Sequence, residues 1–250
     1  AKALYNYLLE NVDNKIISGM MANVAWNQDC ADKVNEWTGK YPAINGFDYL
    51  HMAASKAGAN WINYKDITPV KNWYDNNGIV QLMWHWNVPK SEPKTGLDPN
   101  KDYNCYIKTN DNDGTTFDAA NALTEGTWEN EVWKDDMKTL KEYLTLLKDA
   151  NIPVLWRPFH EASGKWFWWG KDADSFKKLW IEMYNELKDA GLDNLIWVWT
   201  SCGKDNDWYP GDAYVDVVAR DLYGDNESTC ATEYSDLGAT YGNKIVNLGE

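Results

Sequence analysis

The sequence is poor in histidine and cysteine, and it has no long hydrophobic run. Only three histidines occur in 250 residues, and the four cysteines show no Cys-x-x-Cys spacing. A structural zinc site is therefore not expected. No apolar run reaches the roughly 18 residues of a membrane-spanning helix, so we expect no membrane insertion. Ala1 is not followed by the charged and apolar regions of a signal peptide, so any such peptide is already removed, or there was none.

Positive charge is also scarce. The chain has 24 Lys and Arg residues against 38 Asp and Glu residues, which gives a formal net charge of −14. Nucleic acids and anionic membranes would repel such a chain, and no basic patch offsets the excess of acid. We therefore expect neither nucleic acid nor a membrane surface as a partner.

The four cysteines leave the redox state open. Their even number permits two disulfides in an exported protein, whereas free thiols are an equally good interpretation. If bridges form, we favour Cys202 with Cys230, which follow consecutive predicted strands, and Cys30 with Cys105.

Strand-like runs recur along the chain, and each is followed by a helical or polar stretch. Several runs are almost continuously apolar, which is typical of parallel strands covered on both faces. The predicted strands cover residues 16–21, 41–48, 78–86, 152–161, 195–201, 215–223 and 244–250. The predicted helices cover residues 5–10, 47–57, 127–150 and 174–190.

This alternation predicts an α/β fold, either an open doubly wound sheet or a closed barrel. No Gly-rich phosphate motif follows the first strand, and charged and aromatic residues follow several strands, which favours a (β/α)8 TIM barrel. Seven strands are counted, so the eighth strand-helix unit is missing from residues 1–250. We expect one catalytic barrel domain over 1–250 that continues further in the native protein, with residues 87–126 as a long loop beside the site.

Aromatic residues are abundant, with 16 Trp and 15 Tyr, more than a core of this size needs. The most informative segment, residues 154–169, runs from an apolar strand through Arg157, His160 and Glu161 into a cluster of aromatics. Glycosidic cleavage needs a carboxylic acid beside apolar walls, and sugar rings stack on flat aromatic faces. A simple ion pair between Glu161 and Arg157 in a solvated loop is the alternative.

At these residues the sequence resembles glycoside hydrolase family 26, most of whose members are β-mannanases. The likeness runs from about residue 16 to residue 250 and is strongest in the Arg-Pro-Phe-His-Glu motif at 157–161. Other matching segments are residues 17–20, 84–89 and 208–216. The resemblance implies a (β/α)8 barrel in a clan of retaining hydrolases. It implies Glu161, at the end of the fourth strand, as acid/base and Glu250, at the end of the seventh, as nucleophile.

Further roles are implied one residue at a time. His85, at the end of the third strand, would line the site, although a core histidine is the alternative. His160 would orient the substrate or its neighbours, and Arg157 would hold a carboxylate in its ionised form. All three are included among the expected substrate-binding residues.

Three aromatic residues complete the implied site. Tyr223, at the end of the sixth strand, matches a tyrosine that hydrogen-bonds the nucleophile. Trp166 matches a sugar-binding platform, because it lies in a loop five residues beyond Glu161. Trp169 is also expected to bind substrate, although core packing explains Trp168 and Trp169 equally well. The tryptophans inside predicted strands are interpreted as core residues: Trp84, Trp156, Trp197 and Trp199.

The expected function is that of a secreted or cell-surface, monomeric, retaining endo-β-1,4-mannanase that needs no metal or organic cofactor. Its expected partner is a mannan, galactomannan or glucomannan. A β-glucanase or xylanase with the same machinery is one alternative, and a non-catalytic carbohydrate-binding protein is another. The pair Glu161 and Glu250 favours an enzyme, because stacking on sugars needs no carboxylates at strand ends.

Overall fold

The computed structural model of this protein describes residues 1–12, 14–23, 26–93 and 96–250. Parallel strands of these residues form one curved sheet, with helices between them. In chain order the strands are β1 Gly19–Met21, β2 Ile44–Asp48, β3 Ile79–Trp84, β4 Val88–Pro89, β5 Tyr103–Asn104, β6 Val154–Pro158, β7 Leu195–Ser201, β8 Val217–Arg220 and β9 Ile245–Leu248. The α-helices are α1 Lys2–Asn11, α2 Asp29–Thr38, α3 Met52–Lys56, α4 Thr68–Asp75, α5 Ala119–Ala122, α6 Trp128–Asp149, α7 Ala173–Asp189 and α8 Glu227–Tyr241.

The sheet has the order β1-β2-β3-β6-β7-β8-β9, and every neighbouring pair in it is parallel. It curls into part of a barrel, and the predicted incomplete (β/α)8 barrel is thus confirmed. In such a fold the carboxyl ends of all the strands meet on one face. Residues that follow β2, β3, β6, β8 and β9 are therefore brought together.

Apolar side chains fill both faces of the sheet. The inner face carries small and branched residues such as Leu155, Val198 and Val217. The outer face carries large aromatics against the helices, including all four tryptophans predicted as core, each 5% exposed or less. This two-sided burial explains why β3, β6 and β7 are buried along their whole length.

Helix α6 follows its predicted bounds closely because both its apolar stripe and its start signal are strong. The Oγ1 atom of Thr127 accepts a hydrogen bond from the backbone N–H of Asn130 and caps the helix. Glu129 and Glu131 lie in the first turn, where acidic groups favour the helix dipole. The residues of the predicted apolar stripe are all buried: Trp133, Met137, Leu140, Leu144 and Leu147.

Other predicted bounds were wrong. The helix expected at 47–57 begins only at Met52, because Phe47 and Asp48 belong to β2. Helices α2, α4 and α8 were missed. Helix α8 buries only Leu237 and Tyr241, so its sequence lacks a clear apolar stripe.

The long connection after β3 is partly ordered into regular structure. Strands β4 and β5 pair antiparallel within it, and the short helix α5 follows. All four cysteines are free thiols in the structure, so neither favoured disulfide is formed. None of the helices in the described ranges is both long enough and apolar enough to cross a membrane.

Candidate active site

Arg157, on the fourth barrel strand β6, lies at the centre of a cluster of acidic side chains. Its Nη1 donates to Oε1 of Glu250 at 2.6 Å, its Nε donates to Oγ1 of Thr200 at 2.9 Å, and its Nη2 donates to Asp221. Burial alone would lower the pKa of Arg157, but Asp221 and then Glu250 raise it above its ordinary value. Because Arg157 is completely buried, its position fits holding carboxylates and not direct contact with a polysaccharide.

Glu250 follows β9, the seventh barrel strand, and its side chain is 17% exposed. Arg157 donates to one of its carboxylate oxygens, and the hydroxyl of Tyr223 donates to the other. Tyr223 lies just beyond β8, and 67% of its surface is exposed at the open side of the sheet. Two donors on opposite oxygens fix the orientation of the Glu250 carboxylate.

A third carboxylate, Asp221, was missed by sequence reasoning. Its side chain is 3% exposed, and its Oδ2 accepts from Arg157. Burial raises the pKa of Asp221 to about 7; Arg157 opposes this shift, and Glu250 and Glu161 add to it. Its position one residue beyond β8, beside Tyr223, is the signal that could have found it.

Glu161 lies three residues beyond β6, in an unusual backbone conformation. Phe159 has φ 51° and Glu161 has φ 54°, a region that residues other than glycine rarely occupy. Such conformations cost about 1–3 kcal/mol each and are concentrated at functional sites. The turn carries the chain out of the buried strand and ends with Oε2 of Glu161 accepting from Nε1 of Trp166 at 3.1 Å.

Trp166 and Trp169 occupy contrasting positions. Trp166 is 42% exposed and packs over Gly164, where an added Cβ would lie only 2.1 Å from its ring. Trp169 has no exposed surface, stacks on Phe167 at 4.5 Å and donates to the backbone carbonyl of His160 at 2.9 Å. The expected contact of Trp169 with substrate does not fit this burial. Its core alternative does, because the indole N–H finds its partner inside the protein.

Two histidines lie edge to face beside the carboxylates. Their ring centroids are 4.3 Å apart, with His160 2% exposed and the side chain of His85 27% exposed. Burial, together with His85 and Arg157, lowers the pKa of His160 well below its ordinary value. His160 is therefore a neutral ring at neutral pH.

The connection after β3 contacts the Glu161 turn. The backbone N–H of Ile107 donates to the carbonyl of Trp166 at 2.8 Å, and Tyr106 packs on Phe167 at 5.1 Å. Tyr106 is 43% exposed, so part of its ring is open to solvent beside the Glu161 turn. In the described part of the chain no group of three or more His, Cys, Asp or Glu side chains is arranged to hold a metal ion.

The family model of glycosyl hydrolase family 26 matches residues 1–250. The chain belongs to this family. This family 26 chain is 35% identical to a mannan endo-1,4-β-mannosidase of Thermothelomyces thermophilus, with all of the chain and 48% of that protein covered. It is 34% identical to mannan endo-1,4-β-mannosidase B of a Piromyces species, over all of the chain and 42% of that protein. It therefore spans less than half the length of these two relatives.

Solved structures of family 26 agree with the fold. The GH26 domain of an endo-β-mannanase/endo-β-glucanase from Prevotella bryantii is 46% identical, with a TM-score of 0.92 over 99% of this chain and 79% of that one. A β-mannanase from a symbiotic protist of the termite Reticulitermes speratus, solved with a gluco-manno-oligosaccharide, is 34% identical. Its TM-score is 0.85 over 100% of this chain and 78% of that one.

Proposed function

We propose that this family 26 chain is an endo-β-1,4-mannanase that cleaves with retention of anomeric configuration. Glu161 protonates the oxygen of the leaving sugar while Glu250 attacks the anomeric carbon and forms a glycosyl-enzyme. Glu161 then takes a proton from water, which displaces Glu250 and releases the sugar. Glu161 gives one proton to the leaving sugar and regains one from water, so the cycle consumes one water molecule for each bond cleaved and restores both carboxyl groups.

The observation that carries this proposal is that the two glutamates have different hydrogen-bond partners. Glu250 accepts from a buried guanidinium and from a phenol, which suits a carboxylate that must be ionised to attack. Glu161 accepts from the neutral indole of Trp166 and has no guanidinium among its described hydrogen-bond partners. Distinct roles as acid and as nucleophile require two carboxylates in unequal surroundings such as these.

The substrate class is inferred from the relatives and from charge. Both curated relatives are named mannan endo-1,4-β-mannosidases. Mannan is a neutral polymer, so a chain with a net charge of −14 does not repel it. Because a polysaccharide of this size does not cross membranes, we infer that the protein acts outside the cell or at its surface.

The anomeric form of the first product tests the mechanism. We expect nuclear magnetic resonance of a fresh digest of manno-oligosaccharide to show the β-anomer first and the α-anomer only later, as mutarotation proceeds. Retaining enzymes hold their carboxyl groups about 5–5.5 Å apart, whereas inverting enzymes need about 6.5–9.5 Å. An α-anomer formed first would remove Glu250 as nucleophile.

A further inference from the structure

Asp48 and His85 form a pair that the reaction scheme above does not use. Asp48 is the last residue of β2, and His85 directly follows β3, the neighbouring strand. The Oδ1 atom of Asp48 accepts from the backbone N–H of His85 at 3.0 Å, and Oδ2 bonds to Nδ1 of the same ring. Asp48 is 5% exposed, so both oxygens of a buried carboxylate are committed to one histidine.

The environment of His85 contains groups of both signs. Asp48 faces it from β2, Arg157 and the neutral His160 face it from β6 and the turn beyond, and Glu250 faces it from the end of β9. Phe167 adds an apolar wall at 5.7 Å. Two carboxylates thus oppose one guanidinium around this ring.

Part of the His85 ring is open to solvent. Nδ1 is occupied by Asp48, while 27% of the His85 side chain is exposed. The exposed edge of the imidazole is then the one that carries Nε2, the second potential donor. A hydrogen bond from the backbone N–H of His85 to Asp48 would by itself leave the ring free to turn, but the bond between Asp48 and Nδ1 fixes its orientation.

We propose that Asp48 is a positioning residue that fixes the His85 ring through Nδ1 and favours its protonated form, which leaves Nε2–H available to the substrate near Glu250. The kinetic part of this inference rests on the proposed glycosidase activity; the protonation state does not. An imidazolium at this position donates to a sugar hydroxyl or to the nucleophile, which a neutral ring protonated at Nδ1 cannot do through Nε2.

The sign of the pH effect follows from these contacts. Burial alone would lower the pKa of His85, but Asp48 outweighs burial, so the pKa is raised above its ordinary value. The proton is therefore present at low pH and lost as pH rises through this raised pKa. Replacing Asp48 by asparagine removes the charge while keeping the shape, so His85 should lose its proton at a lower pH.

The experiment follows the ring nitrogens of the chain's three histidines by nuclear magnetic resonance as pH is raised, in the parent and in Asp48→Asn. We expect the pKa of His85 to fall by about 1–3 units in Asp48→Asn. The basic limb of kcat/KM on manno-oligosaccharide should move to lower pH by a similar amount. Asp66→Asn is the matched control, because exposed Asp66 lies in the connection after β2 and bonds to Thr68 instead.

Two results would overturn the inference. One is an unchanged titration of His85 in Asp48→Asn; the other is a shifted titration with no movement of the basic limb. If Asp48→Asn does not fold, the pH profile of His85→Gln is measured instead. A basic limb of kcat/KM unchanged from the parent's would show that titration of His85 does not produce this limb. If the parent releases no sugar from any polymer, the proposed function fails, but the resonance titration still decides whether Asp48 holds the proton.

Discussion

Arg157 joins three parts of the barrel through a single side chain. It contacts Thr200 on β7, Asp221 after β8 and Glu250 after β9. The contact with Glu250 spans 93 residues of sequence. A fully buried guanidinium is favourable only when its donors are paired, so the carboxylates stabilise Arg157 as much as Arg157 orients them.

Replacing the exposed Trp166 and the buried Trp169 by alanine should have opposite effects. Trp166→Ala should lower kcat/KM on mannan strongly with a melting temperature close to the parent's, because the ring is 42% exposed beside Glu161. Trp169→Ala should instead destabilise the fold by about 3–5 kcal/mol, because it leaves a cavity in the core. A Trp166→Ala protein that melts many degrees lower, with normal activity in its folded fraction, would contradict the platform assignment.

The titration of Asp221 should make the stability of the fold depend on pH. Burial, Glu250 and Glu161 raise its pKa from 3.8 to about 7 in the folded chain, against the effect of Arg157. Between these pH values the folded state binds a proton that the unfolded state has lost, so this contribution to the free energy of unfolding falls as pH rises. The free energy of unfolding, measured in urea at several pH values, should fall less steeply with pH over this window in Asp221→Asn than in the parent.

The control for this prediction is Asp66→Asn. Asp66 is exposed, and hydrogen bonds from Thr68 lower its pKa, so its removal should not flatten the slope between pH 4 and 7. Equal slopes for the parent and Asp221→Asn would show that Asp221 is ionised over the whole window.

At the scale of elements, the connection after β3 depends on a close backbone approach. A Cβ added at Gly114 would lie 2.3 Å from the carbonyl oxygen of Tyr106, so a larger residue must displace this segment. Through Tyr106 and Ile107 the segment contacts Phe167 and Trp166. The position of the Glu161 turn therefore depends on a connection far from it in sequence.

We expect Gly114→Ala to raise KM and lower kcat/KM on mannan by shifting this wall of the cleft. Gly238→Ala is the control, because nothing lies within 4 Å of an added Cβ there and Gly238 is inside helix α8. The control should gain about 0.5–1 kcal/mol of stability with unchanged kinetics. Parent-like kinetics in Gly114→Ala would mean that the connection does not shape the cleft.

The elements that could be predicted from the sequence are those with a strong periodic pattern. The apolar runs of β3, β6 and β7 and the stripe of α6 reflect burial directly, and their prediction is confirmed. Helix α8 could not be predicted, because only two of its side chains are buried. Asp48 and Asp221 were missed because a single aspartate at the end of a strand looks the same in sequence whether its side chain meets solvent or a buried partner.

At the scale of the whole molecule, the parallel order of the strands explains why distant residues meet. The family and the incomplete barrel are confirmed by the match over 1–250 and by the fold of its relatives. The open side between β1 and β9 borders a cavity of about 1090 Å³ that reaches Tyr223 and Glu250. Sequence order placed Glu161 and Glu250 at strand ends, but the contacts between strands needed the folded chain.

The most direct test of the central claim is reducing-sugar release from mannan, β-glucan and xylan, measured side by side with the purified chain. We expect mannan to be cleaved much faster than either other polymer. We also expect Glu161→Gln to lower the rate on mannan by about 10²–10⁴-fold, the usual contribution of general acid catalysis. Faster release from glucan or xylan, or equal release by the parent and Glu161→Gln, would contradict the proposed activity.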